Sequence, residues 1–299
     1  MIRVQVPATV ANLGPGFDCL AMALELYNVV EAVLAAGLSV EVSGEGADVI
    51  PRDGKNLVYR TISRLLSQLG VEVPGLRLRL INQIPAERGL GSSAAAVVGG
   101  ALVANALAGG KLGPRELVNF CSSLEGHPDN VTAALLGGIV VCVVDDGEVR
   151  WLKINPPPRL TCVVAVPDFP LSTRAAREAL PAQVPLSDAV FNISRAAMLV
   201  ASLQQGEFDL LGVATEDRLH QAYRSPFVPG LKKVMAAARL AGARGVALGG
   251  AGPAVVAFAD ANPALIARVM GETFRESGVR ARVMVLKPAA AGARALELK

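Results

Sequence analysis

Pro85-Ala86-Glu87-Arg88-Gly89-Leu90-Gly91-Ser92-Ser93-Ala94-Ala95 is the stretch on which the reading of this chain turns. Before it, Leu76 to Ile84 runs Leu-Arg-Leu-Arg-Leu-Ile-Asn-Gln-Ile, an apolar/polar alternation that predicts a strand. After it, Ser93 to Ala108 is long and rich in alanine, and predicts a helix. A Gly- and Ser-rich turn therefore joins a strand to a helix N-terminus. Glycines let a ligand come close to the backbone, and the free N–H groups at the helix start attract an anion. The same residues also suit a tight turn followed by a serine N-cap. Residue types alone leave both readings open.

Composition narrows the classes. Of 299 residues, 52% are hydrophobic and 18% charged, which excludes a disordered chain and gives material for one large or two ordinary domains. The net charge is +3, basic residues are scattered, and aromatics make up 4%, so no nucleic-acid surface is expected. Cys19, Cys121, Cys142 and Cys162 lie far apart without a C-x-x-C, as suits reduced thiols of a cytoplasmic protein. The only histidines are His127 and His220, too few for a Cys/His zinc site. The N-terminus carries no signal-peptide pattern. The apolar helix after the turn is shorter than the roughly twenty residues of a bilayer span, so no membrane association is expected.

The loop lacks the Walker lysine, and no G-x-G-x-x-G dinucleotide fingerprint occurs. Instead, Pro85, Gly89-Leu90-Gly91-Ser92-Ser93 and Ala94 match each fixed position of P-x-x-x-G-L-G-S-S-A. This resembles the phosphate-binding signature of the GHMP kinases, the family of galactose, homoserine, mevalonate and phosphomevalonate kinases. The resemblance implies ATP as phosphoryl donor, with Pro85, Arg88, Gly89, Leu90, Gly91, Ser92 and Ser93 around its phosphates.

Further signatures follow in the family's order. Val10 to Asp18 reads as a turn-rich loop, and with Pro7-Ala8-Thr9 it is similar to the P-A-T-x-A-N-L-G-P-G-F-D of the homoserine branch. There the Asn and Asp, here Asn12 and Asp18, bind the substrate amino acid. Asn56 to Leu69 is an amphipathic helix with Asn56 as N-cap; the resemblance adds Asn56 and Val58 to the adenine pocket. Glu125-Gly126-His127-Pro128-Asp129-Asn130 resembles a metal-binding Glu followed by H-P-D-N opening a helix. The family usually has several more residues between that Glu and the His; here Gly126 stands alone. Ser172 to Arg177 resembles an S-T-x-x-A-R substrate loop, which implicates Thr173 and Arg177. Asp217 to Arg224 resembles D-R-x-H-Q-P-Y-R, which makes Arg224 a carboxylate-binding candidate. Gly249-Gly250-Ala251-Gly252-Pro253 is similar to the third signature.

The resemblance implies an α+β fold in two domains, a ribosomal-S5-like ATP-binding domain over residues 1–155 and a ferredoxin-like domain over 156–299, and the stiff Pro156-Pro157-Pro158 spacer marks the boundary. The implied reaction is ATP-dependent phosphorylation of the side-chain hydroxyl of L-homoserine, a step toward threonine. Ser93 and Glu125 would hold Mg²⁺, Arg177 and Arg224 the substrate carboxylate, and Asp18 its ammonium. Asn12 and Asn130 would place the hydroxyl. Asn130 cannot accept a full proton, and Asp129 is expected to point elsewhere on its helix, so no dedicated base is expected. A homodimer is a family-level expectation. The alternatives are a GHMP kinase for mevalonate or a sugar, and a non-catalytic binding protein on the same fold.

Overall fold

The computed structural model describes residues 1–297. The chain begins with β1 (Ile2–Asn12), β2 (Gly16–Leu34) and β3 (Gly37–Gly44), then α1 (Leu57–Gln68), β4 (Gly75–Asn82), α2 (Ser92–Leu107), α3 (Pro114–Glu125) and α4 (Asp129–Leu136), and closes its first half with the hairpin β5 (Ile139–Asp145) and β6 (Glu148–Ile154). The second half runs β7 (Thr161–Pro167), α5 (Thr173–Glu178), α6 (Leu186–Gln205), α7 (Leu211–Ala214), α8 (Gln221–Arg224), α9 (Leu231–Leu240), β8 (Gly245–Leu248), β9 (Val255–Ala259), α10 (Pro263–Glu276), β10 (Ala281–Leu286) and β11 (Arg294–Glu297).

The first sheet is ordered β11-β1-β2-β4-β3, with β5 and β6 attached through β2. Its spine is β2, which pairs β5 with its first part, from Leu20 to Met22, and β4 with its last, from Val29 to Leu34. β1 runs through Pro7 to Asn12, with a register shift between Pro7 and Ala8 where the ladder accommodates the missing N–H. Helix α2 is apolar on all sides and lies buried against this sheet, as such a helix must.

The second sheet, β10-β7-β9-β8, is antiparallel throughout. Both of its faces are covered. Along β7, Cys162, Val164 and Val166 face the core shared with the first sheet, and Val163 and Ala165 face the core under α9 and α10. The proline spacer falls between β6 and β7, where the chain leaves one sheet for the other. The chain does not stay in the second sheet: β11 returns to pair antiparallel with β1, from Ile2 opposite Glu297 to Gln5 opposite Arg294. After α6 the chain makes a tight turn at Phe208–Leu210 before the four-residue α7. By length and composition alone α6 is long and apolar enough to cross a membrane. It carries Asp188 and Arg195, and packs against the protein through Asn192, Leu199, Ser202 and Leu203.

Candidate active site

The strand–turn–helix at β4–α2 forms as expected, with one correction. The cap position of α2 is Gly91, not a serine; Ser92 and Ser93 already belong to the helix. Gly91 stands in the left-handed region at φ 69, and no side chain caps the helix start. Its leading N–H groups are therefore left for an anion. Glycine is required on two counts: the positive φ, and the fact that a Cβ there would collide with Thr9 Oγ1. Gly89, at φ 78, would meet the Gly249 carbonyl in the same way. Ala254 N donates to Arg88 O at 3.2 Å and Gly250 N to Ala11 O at 3.2 Å. The 249–253 loop thus packs on both the phosphate loop and the β1–β2 turn.

The short link after Glu125 is long enough. Gly126, at φ 82, ends α3 in a left-handed turn, and Glu125 stays within reach of the phosphate loop: Ser93 Oγ donates to Glu125 Oε1 at 2.5 Å. One hydroxyl and one carboxylate at a helix N-terminus fit Mg²⁺, which favours oxygen and takes few protein ligands beside phosphate and water. Among the described residues no cluster of three or more His, Cys, Asp or Glu offers a closed metal cage.

A cleft of about 330 Å³ opens beside this corner. Asn12, Asp18, Arg88, Gly89, Gly91, Ser92, Ser93, Glu125, Asn130, Thr173, Arg177 and Arg224 all border it. The charged residues are not independent. Arg177 Nη1 and Nη2 donate to Asp18 Oδ2 and Oδ1 at 2.8 and 2.7 Å, and this hydrogen bond raises the Arg177 pKa. Arg224 is 2% exposed, and burial, with the nearby Arg177 charge, brings its pKa down to about 10. Asn12 is held on both ends: its amide donates to Gly250 O at 3.0 Å and its oxygen accepts Asp18 N at 3.1 Å.

The expectation for Asp129 is corrected. Its side chain borders the cleft, and Oδ1 accepts Asn130 N at 2.6 Å and His127 Nδ1–H at 2.8 Å. These two bonds hold the carboxylate back over the first turn of α4. Burial lowers the His127 pKa, but the bond to Asp129 and the charges of Asp129, Glu125 and Asp18 outweigh it, and the net shift is upward. Asn130 Oδ1 accepts from Thr9 Oγ1 at 2.7 Å. Sequence reasoning passed over His127, Thr9 and Phe17, whose ring lies 5.4 Å from the Arg177 guanidinium and 5.2 Å from that of Arg224. The His and Asp of H-P-D-N were in view; what pointed to the cleft was their place at a helix start beside Glu125.

A second cavity, of about 250 Å³, adjoins the first and shares Glu87, Ser92 and Ser93 with it. Asn56, Val58, Val30, Ile50 and Leu80 line it. Asn56 has the capping role in full: its oxygen accepts Val58 N and Tyr59 N at 3.0 and 3.3 Å, and its amide donates to Pro51 O at 2.7 Å. Three residues expected around the phosphates are otherwise engaged. Pro85 and Leu90 are buried behind the loop. The Arg88 guanidinium donates to the carbonyls of Ala86, Pro167 and Asp168 at 3.0–3.1 Å, tying the loop to the end of β7.

An uncapped helix start, an adjoining apolar cavity and a charged cleft define a small-molecule phosphotransferase site. Residues 56–138 match the GHMP kinase N-terminal domain model and residues 199–276 the GHMP kinase C-terminal model. The chain belongs to the GHMP kinase family. Within it, the chain is 47% identical over 293 residues to a homoserine kinase of Moorella thermoacetica, covering 98% of this chain and 99% of the relative. It is 46% identical to a homoserine kinase of Carboxydothermus hydrogenoformans, covering 98% and 96%. The crystal structure of homoserine kinase from Cytophaga hutchinsonii superposes with a TM-score of 0.89 at 32% identity, covering 99% of this chain and 97% of that one.

Proposed function

We propose that this chain has homoserine kinase activity: it transfers the γ-phosphoryl group of ATP to the side-chain hydroxyl of L-homoserine, giving O-phospho-L-homoserine and ADP. One observation carries the reading. Asp18, Arg177 and Arg224 bring one carboxylate and two guanidinium groups to a cleft that ends at an uncapped helix N-terminus. An amino-acid zwitterion complements that set; a neutral sugar does not, and mevalonate has no ammonium group for Asp18. The Ser93–Glu125 corner speaks against a non-catalytic binding protein.

The roles follow from position. The adenine ring enters the cavity at Asn56 and Val58, and the phosphates lie over Gly89 to Ser93 at the start of α2. Ser93 and Glu125 would hold Mg²⁺, which offsets the charge of the phosphates. Arg177 and Arg224 take the substrate carboxylate and Asp18 the ammonium, with Thr173 on the same wall. Asn130, anchored by Thr9, orients the hydroxyl, and Asn12 holds the backbone N–H of Asp18. Transfer through a loose transition state rests on positioning and charge stabilisation, and the hydroxyl proton passes to a γ-phosphate oxygen. Asp129, held by His127 and Asn130 N, stands as the second reading for a proton acceptor.

We assign residues 1–155 to the ATP-binding domain and 156–299 to the second domain, with β11 lent back to the first sheet. The four free cysteines suit a reducing cytoplasm, and a homodimer remains the family-level expectation. A coupled ADP-release assay tests the activity. Turnover is expected with homoserine and not with mevalonate or galactose; turnover with mevalonate alone overturns the reading.

A further inference from the structure

His220 is fully buried in the wall behind the charged cleft, and both ring nitrogens are engaged. Nε2 lies 2.6 Å from the Gly14 carbonyl, which can only accept. Nδ1 lies 3.2 Å from Arg224 Nη1, which can only donate. The two partners together admit one form of the ring: neutral, with the proton on Nε2. The ring also lies tilted against Phe17, with centroids 5.3 Å apart. One side chain thus joins the β1–β2 turn, which leads into Asp18 near the start of β2, to the guanidinium of Arg224.

The turn that presents His220 is built to hold it. Asp217 Oδ2 accepts His220 N and Gln221 N at 3.0 and 2.7 Å, and Oδ1 accepts Asn192 Nδ2 at 2.7 Å. Arg224 sits one turn further along, where a residue four positions on shares the helix face. Its Nε and Nη1 also donate to the Ala176 and Gly250 carbonyls at 3.2 and 3.0 Å. Those two carbonyls fix where the guanidinium lies; the imidazole nitrogen, the one side-chain acceptor among its bonded partners, fixes its tilt about that anchor.

We propose that His220 is a positioning residue for substrate recognition: as a neutral Nε2–H imidazole it sets the orientation of the Arg224 guanidinium relative to Asp18. This rests on the reading of Arg224 as a ligand of the substrate carboxylate. His220 touches neither substrate nor nucleotide.

The test compares His220→Leu, His220→Asn and Arg224→Ala by steady-state kinetics. His220→Leu removes the acceptor and is expected to raise the homoserine KM on the order of tenfold, with kcat and the ATP KM within a few-fold of the parent. His220→Asn keeps an amide oxygen where Nδ1 stood and is expected to recover most of that loss. A His220→Leu enzyme with the parental homoserine KM, or one that loses ATP and homoserine affinity alike, overturns the proposal. Arg224→Ala separates the two claims: if it leaves the homoserine KM unchanged, the carboxylate assignment itself fails, whatever His220 does. Should His220→Leu not fold, nitrogen NMR of the unmodified protein decides. Only two histidines are present, and His127→Gln assigns their signals. A neutral Nε2–H ring for His220 at neutral pH is expected; an Nδ1–H or doubly protonated ring contradicts the proposal.

Discussion

Asp18 and Arg177, 159 residues apart in sequence, form a two-pronged ion pair across the cleft, with N–O distances of 2.7 and 2.8 Å. Asp18 belongs to β2 of the first sheet and Arg177 to α5 of the second half, so the pair ties the two halves together at the site. Each partner was assigned the opposite end of a zwitterion. An amino acid that enters offers Asp18 an ammonium and Arg177 a carboxylate, and exchanges one ion pair for two. A ligand with only one charged end leaves either Asp18 or Arg177 without its replacement partner.

Asp18→Asn should therefore raise the homoserine KM by about 10- to 100-fold, the range expected for a hydrogen bond between charged groups, while the ATP KM moves little. The des-amino analogue of homoserine should bind the parent poorly. Steady-state kinetics with both ligands reads this, and equal KM values for homoserine and its des-amino analogue would show that Asp18 holds no ammonium.

Glu125→Gln removes the anionic half of the Ser93–Glu125 corner. The Mg²⁺ concentration for half-maximal activity should rise about tenfold or more, with homoserine affinity retained. A Mg²⁺ titration that superposes on the parent's would mean that the carboxylate serves only as an acceptor for Ser93.

Gly91 and Thr9 form a steric couple. Gly91→Ala places a Cβ against Thr9 Oγ1 and forces a side chain into a left-handed backbone. The two effects together should cost about 2–4 kcal/mol of stability. Removing the hydroxyl in a Gly91→Ala, Thr9→Ala double variant relieves the collision and leaves the backbone strain. Denaturant unfolding of the four proteins should give a double-variant loss smaller than the sum of the singles; strict additivity would mean that the two residues do not meet.

His127 supplies a pH dependence. Its folded pKa lies above the ordinary value of 6.5, because the bond to Asp129 and the surrounding carboxylates outweigh the burial that lowers it. A group whose pKa rises on folding stabilises fully below its unfolded pKa, and that contribution fades as pH rises through the folded value. His127→Gln should therefore lower Tm more at about pH 5.5 than at about pH 8.5. A deficit that grows toward alkaline pH would mean that the pair forms with a neutral ring.

Much of this architecture was legible because its determinants are local. The phosphate loop is a matter of Gly89 and Gly91 between an alternating strand and an apolar helix, and the Asn56 cap is read from neighbours in sequence. The rest depends on partners that sequence does not display. Strand β11 exists because β1 offers it an edge, and Arg294–Glu297 has no pattern of its own. Asp129 takes its place in the cleft wall because His127 and Asn130 N draw its carboxylate back over the helix start, against the expectation that it points elsewhere on the helix. Asp18 and Arg177 were each marked for the substrate, but only the fold shows that they bind one another. Arg88 reads as a phosphate ligand by its place in the loop, yet the carbonyls of Pro167 and Asp168 occupy its guanidinium.

The central claim is that this cleft sets the side-chain hydroxyl of an amino acid against the γ-phosphate of ATP. Phosphorus NMR of a reaction of the purified protein with ATP, Mg²⁺ and L-homoserine tests it most directly. The account predicts loss of the γ-phosphate signal together with growth of one phosphomonoester resonance, split by coupling to the methylene protons beside the substrate oxygen. Inorganic phosphate as the only new signal, or a phosphoryl group on the carboxylate or the nitrogen, would contradict it.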